Sequence, residues 1–142
     1  MVEEERLHYV DVNVFVYWLT SDPKFGEVAL KWIKNIESCS RKEYVTSSLC
    51  LYETVVILAG LTGKNLKDKI FTSEVIKAIT QINGLIIEPL KLEDFTKAIE
   101  IMGEFKLDYE DSLHLAVAIR AGAKDIISND KDFKTTPLKR NF

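Results

Sequence analysis

Four acids lie in apolar sequence, where a soluble chain ordinarily places core side chains. Asp11 follows LHYV, Glu53 sits inside LCLYETVVIL, Asp111 heads SLHLAVAI and Asp130 follows IISN. A carboxylate moved from water into a protein interior costs several kcal/mol unless it is paired or binds a metal. Few basic residues flank these acids in the sequence, so they call for a shared explanation. A pocket lined by several carboxylates is stable at neutral pH when a divalent cation offsets their repulsion. Oxygen donors without histidine or thiolate suit Mg²⁺ or Mn²⁺ rather than zinc. Such a site fits phosphoryl chemistry, in which metal ions polarise the phosphate and lower the pKa of an attacking water.

Each acid also has a local explanation. Asp11 and Asp111 can each cap the helix that follows. Asp130, in SNDKDF, has the surroundings of a turn aspartate bonded to its own backbone. On a helix, Glu53 has Leu49, Cys50, Val56 and Ile57 as its neighbours three and four positions away, so it lies on an apolar stripe, where a buried salt bridge is its structural explanation.

The elements that must position these residues follow from periodicity and punctuation. Leu7 to Val10 reads as a short strand, and VNVFVYWL after Asp11 as a buried helix or further strand. Helices fit Phe25–Ile36, Leu49–Leu61 with caps at Thr46, Ser47 and Ser48, and Leu66–Ile82 with Asn65 as cap and Asn83-Gly84 as the closing turn. LIIEPL reads as a strand, Leu92–Phe105 and SLHLAVAIRAG as helices, and DIISND as a last strand with its turn. Short apolar strands alternating with helices, without hairpin signals, predict an α/β fold: a three-layer α/β/α sandwich around a parallel sheet, forming one domain over residues 1–142. Ligands of such folds bind beyond the carboxyl ends of the strands. Asp11 and Asp130 both follow strands, and two helix N-termini bring Glu53 and Asp111 toward the same edge.

YVDVNVFVYWL, the glutamate of TSSLCLYE, YEDSLHLAVAIRAGA and IISNDKDF together resemble, in order, the four motifs of the PIN domain. This small α/β nuclease fold includes the toxin ribonucleases of toxin–antitoxin pairs, and the resemblance runs from about His8 to Phe133. It implies a divalent-metal-dependent endoribonuclease, often a homodimer, with catalytic and metal-binding acids at Asp11, Glu53, Asp111 and Asp130 and auxiliary positions at Asn13 and Asp132. It leaves the final strand in question, because after DKDF the chain runs only KTTPLKRNF. The rival expectation is a catalytically silent PIN-fold subunit that binds RNA or protein.

The remaining features narrow the choice. Lys and Arg number 19 against 22 Asp and Glu, a net charge of −3, so bulk electrostatics repel a polyanion. An RNA substrate would need a local basic patch, for which Lys131 and Lys134 beside Asp130 are the candidates. No GxGxxG, Walker or GxSxG pattern is present. His114, one turn beyond Asp111, is within reach of the site but is read in preference as a packed or half-exposed residue. Cys39 and Cys50 match no zinc or redox spacing. No apolar run reaches the roughly 20 residues of a membrane span, and MVEEERLHYV lacks the pattern of a signal peptide, so the expected location is the cytoplasm. An apolar surplus at Phe15–Leu19 and Phe25–Ile36, including Trp18, Leu19, Phe25 and Trp32, predicts either a face covered by a homodimer mate or inhibitor protein, such as an antitoxin, or dense core packing.

Overall fold

The structure is a computed structural model that describes residues 7–39, 41 and 43–142; residues 1–6 of the expected single domain lie outside the described residues. The chain forms β1 (Leu7–Val10), α1 (Val12–Leu19), α2 (Gly26–Ser38), β2 (Tyr44–Ser47), α3 (Ser48–Thr62), α4 (Lys69–Thr80), β3 (Leu85–Glu88), α5 (Leu92–Phe105), α6 (Tyr109–Arg120), β4 (Ala123–Ile127) and β5 (Lys139–Asn141), with a 3-10 helix at Lys131–Thr135. The five strands make one parallel sheet in the order β3-β2-β1-β4-β5. Helices α1 to α4 pack over Val10 and Ile127 on one face. Helices α5 and α6 pack over Tyr9, Val45 and Ile126 on the other. The α/β/α sandwich expected from the sequence is therefore present.

The chain builds outward from β1 through β2 to β3, then returns to build β4 and β5 on the other side of β1. The order reverses between β1 and β4, and beyond the carboxyl ends of such a pair the flanking loops diverge and leave a crevice. Val10 pairs with Ile127 in that register, so Asp11 and Ser128 occupy the next rung.

Several elements differ from their sequence reading. VNVFVYWL is helical. The helix expected over Leu66–Ile82 spans only Lys69–Thr80, because Asp68 is its cap, accepting from the Phe71 amide, while Asn65 bonds the Lys67 amide in a local turn. The final strand is present but three residues long. Of the apolar surplus near the N-terminus, Trp18, Leu19 and Trp32 are half-buried against the core, and Phe25 packs on the rings of Tyr17 and Phe142. Leu30 of α2 is exposed in the same stretch, and other large exposed apolar residues include Tyr52 and Leu61 of α3, Ile70 of α4, and Leu92 and Ile99 of α5. Among the described residues, no helix is long and apolar enough to cross a membrane.

Candidate active site

Asp11 occupies the N-cap position of α1 but makes no capping bond with its side chain. Its Oδ2 instead accepts a 2.6 Å hydrogen bond from Ser128 Oγ across the β1–β4 crevice. Its Oδ1 is buried and has no hydrogen-bond partner among the described residues. Burial pushes the Asp11 carboxyl above its ordinary range, and the charge of Glu53 adds to the rise, against the opposing pull of His114 and Ser128.

Asp111 is not the cap of α6 either. That role belongs to Asp108, whose carboxylate accepts from the Asp111 amide at 2.8 Å. The side chain of Asp111 is thereby left to face Asp130 and Asp132, and the three carboxyl groups offer oxygens that all lie within 4.8 Å of one another. Burial, followed by the charges of Asp130, Asp108 and Asp11, pushes Asp111 up to about 8. Asp130 Oδ1 accepts from the Asp132 amide at 2.9 Å, the turn bond expected of it, and this bond caps the 3-10 helix. Asp132 is exposed at the mouth of this cluster.

Glu53 lies in the second turn of α3 rather than at its head, and it is buried. His114 Nε2 bonds its Oε1, so the buried ion pair weighed for this residue exists with a histidine as partner. Burial opposes ionisation of Glu53, but the hydrogen bond and charge of His114 outweigh it and hold the carboxyl below its usual range. Glu110, in the first turn of α6, shares a hydrogen bond with Glu53 and is pushed up by it. Asp11 and Glu53 both stand outside the three-carboxyl group: Glu53 acts on Asp11 through its charge, and Asp11 on Asp111.

Asn13 is spent within the protein. Its Nδ2 donates to Ser128 Oγ at 3.2 Å and its Oδ1 accepts from the Asn129 amide at 3.4 Å. Ser128 is a residue the sequence reading missed: its hydroxyl donates to Asp11, and accepts from Asn13 and from the Asp130 amide at 3.0 Å. The available signal was its position directly after a strand. Lys131 and Lys134 are exposed on the 3-10 helix that Asp130 caps.

A family model, "PIN domain", matches residues 8–139. The chain belongs to the PIN domain family. Comparison with curated proteins finds no match. Among solved structures, this PIN domain is similar to VapC20 of Mycobacterium tuberculosis, described as a sarcin-ricin loop cleaving toxin, with a TM-score of 0.73 at 15% identity over 92% of this chain and 95% of that one. It is also similar to VapBC2 of Rickettsia felis bound to a promoter DNA fragment, with a TM-score of 0.68 at 16% identity over 95% and 97%. FitAcB of Neisseria gonorrhoeae superposes with a TM-score of 0.65 at 15% identity over 96% and 97%. At these identities the likeness establishes the fold.

Proposed function

We propose that this PIN domain is a divalent-metal-dependent endoribonuclease, the toxin of a toxin–antitoxin pair, that hydrolyses RNA phosphodiester bonds with Asp11, Glu53, Asp111 and Asp130 as its acidic residues. The observation that carries the reading is the orphaned Oδ1 of Asp11, a buried acceptor with no donor, beside carboxyl groups that crowd within 4.8 Å. Such an arrangement is costly on its own and is relieved by a cation. The donors are all oxygens, which fits Mg²⁺ or Mn²⁺. Asp11, Glu53, Asp111 and Asp130 would hold the ion, with Asp132 and Asn13 as auxiliary residues. The chemistry a bound Mg²⁺ or Mn²⁺ supplies is polarisation of the phosphate and a lowered pKa for the attacking water.

The chain's own residues orient the reactants. Ser128 bonds both the Asp11 carboxylate and the Asp130 backbone, so the ends of β1 and β4 move as one unit. Exposed Lys131 and Lys134 offer phosphate contacts beside Asp130, a local basic patch on a chain of net charge −3. RNA as substrate is supported by the likeness to VapC20, a sarcin-ricin loop cleaving toxin, and an antitoxin partner by the toxin–antitoxin complex from Klebsiella pneumoniae, which shares the fold. Exposed apolar side chains such as Leu61 and Ile70 are available to a homodimer mate or that antitoxin.

The position of Asp11 and Glu53 outside the three-carboxyl group favours a second reading, a silent PIN-fold subunit that binds RNA or protein. Incubating the purified protein with labelled RNA, with Mn²⁺ or with chelator, decides between them. Metal-dependent cleavage that Asp11→Asn abolishes supports the nuclease. Intact RNA together with an unchanged melting temperature at millimolar Mn²⁺ supports the silent subunit.

A further inference from the structure

We propose that His114 is a positioning residue of this site, held by Tyr9, which fixes the Glu53 carboxylate for metal binding; the proposal rests on the nuclease reading above. His114 is 1% exposed and lies three residues beyond Asp111 on α6. Its Nε2 faces Glu53 Oε1, and a carboxylate has no proton to give, so Nε2 carries it. Its Nδ1 is 2.6 Å from the hydroxyl of Tyr9, which is fully buried on β1 two residues before Asp11. Cys50 Sγ, at 3.9 Å from the same nitrogen, is the more distant neighbour.

The chain Tyr9–His114–Glu53 therefore ties together β1, α6 and α3, the elements that carry Asp11, Asp111 and Glu53. A glutamate has three rotatable side-chain bonds and populates several rotamers unless it is held; Glu110, which also bonds Glu53, is exposed, whereas His114 is buried. With Oε1 bonded to a ring that is itself held from behind, one arrangement remains. A packing role alone would be met by an apolar residue of similar volume, and would need no oriented pair of hydrogen bonds.

The test measures Mn²⁺ affinity of the metal-free protein by titration calorimetry, alongside kcat and KM on RNA. Outer partners of metal ligands contribute about 10–100-fold in affinity, so His114→Leu is expected to weaken Mn²⁺ binding by about that factor and to lower kcat with KM for RNA unchanged. His114→Gln, whose amide nitrogen reaches toward the place of Nε2, should recover most of the loss. Tyr9→Phe keeps the packed ring, removes only the hydroxyl, and should weaken Mn²⁺ binding by about tenfold. It carries the test if His114→Leu does not fold. A folded Tyr9→Phe or His114→Leu protein that binds Mn²⁺ as the parent does overturns the positioning role and leaves the nuclease reading intact. A parent that neither binds Mn²⁺ nor cleaves RNA overturns both.

Discussion

Ser128 Oγ donates to Asp11 Oδ2 at 2.6 Å, a bond between residues 117 positions apart that the parallel register of β1 and β4 brings within reach. It is the one hydrogen bond to the Asp11 carboxylate from another side chain among the described residues, since Oδ1 has none. Ser128→Ala takes the donor from Oδ2 of this buried carboxylate and removes the acceptor used by Asn13 and the Asp130 amide. Leaving buried polar groups unpaired costs about 1–3 kcal/mol, so the variant should unfold at lower denaturant concentration. Its nuclease activity should fall by at least tenfold, as expected for an outer partner of a metal ligand. An active variant of parental stability would show that the Asp11 carboxylate does not depend on this bond.

Asp11→Asn should separate activity from stability. Burial pushes the native carboxyl up, which means that its ionised form is disfavoured in the fold. An amide of the same shape removes that charge while Ser128 keeps an oxygen to donate to. The expected outcome is loss of RNA cleavage with a melting temperature in chelator equal to or above the parent's. A marked drop in melting temperature would instead mean that Asp11 is a structural residue.

The helix Leu92–Phe105 was legible to the residue, because Glu93 and Asp94 mark its first turn and Pro89 closes the strand before it. Where two cap-competent residues stand three apart, residue type alone could not rank them. Asn65 against Asp68, and Asp108 against Asp111, were decided by which backbone turned first. For Asp111 the consequence reaches the site, since losing the cap to Asp108 leaves its side chain to Asp130. The acids themselves were visible because their apolar context is a local signal. The partners of Glu53 and Asp11 were not, since His114 and Ser128 meet them across 61 and 117 residues, through sheet order and helix packing that no local pattern encodes.

Arg120 at the end of α6 is expected to clamp α5. Its guanidinium donates to both oxygens of Asp94, to Glu88 and to the Pro89 carbonyl. Asp94 is 1% exposed, so Arg120→Met strands a buried charge, at a cost of about 3–5 kcal/mol. Burial opposes ionisation of Asp94, but Arg120 outweighs it and holds the carboxyl below its usual range. A depressed folded pKa contributes stability above the unfolded value, and that contribution is lost as pH falls through the folded one. Denaturation of parent and variant should therefore differ most above about pH 4 and converge below it. A constant difference down to strongly acid pH would mean that the variant loses packing rather than charge pairing.

Asp111 should give the metal-free protein a pH dependence of the opposite sign. Its folded pKa, about 8, lies above the ordinary carboxylate value, near 4. The stability it contributes is therefore complete below about pH 4 and is lost as pH rises through about 8, because the unfolded chain ionises freely while the fold must place a charge beside Asp130, Asp108 and Asp11. In chelator, the parent's melting temperature should fall across this window relative to that of Asp111→Asn, which has no proton to lose there; comparing the two isolates Asp111 from His114, also raised. Mn²⁺ should reverse the trend. At a hundredfold excess over its dissociation constant, it should stabilise the fold by about 2.7 kcal/mol. The proton on Asp111 competes with the cation, so at a fixed Mn²⁺ concentration the upward shift should be larger at pH 8 than at pH 6. Parallel melting profiles for parent and variant, or a Mn²⁺ shift independent of pH, would remove Asp111 from the metal-binding set.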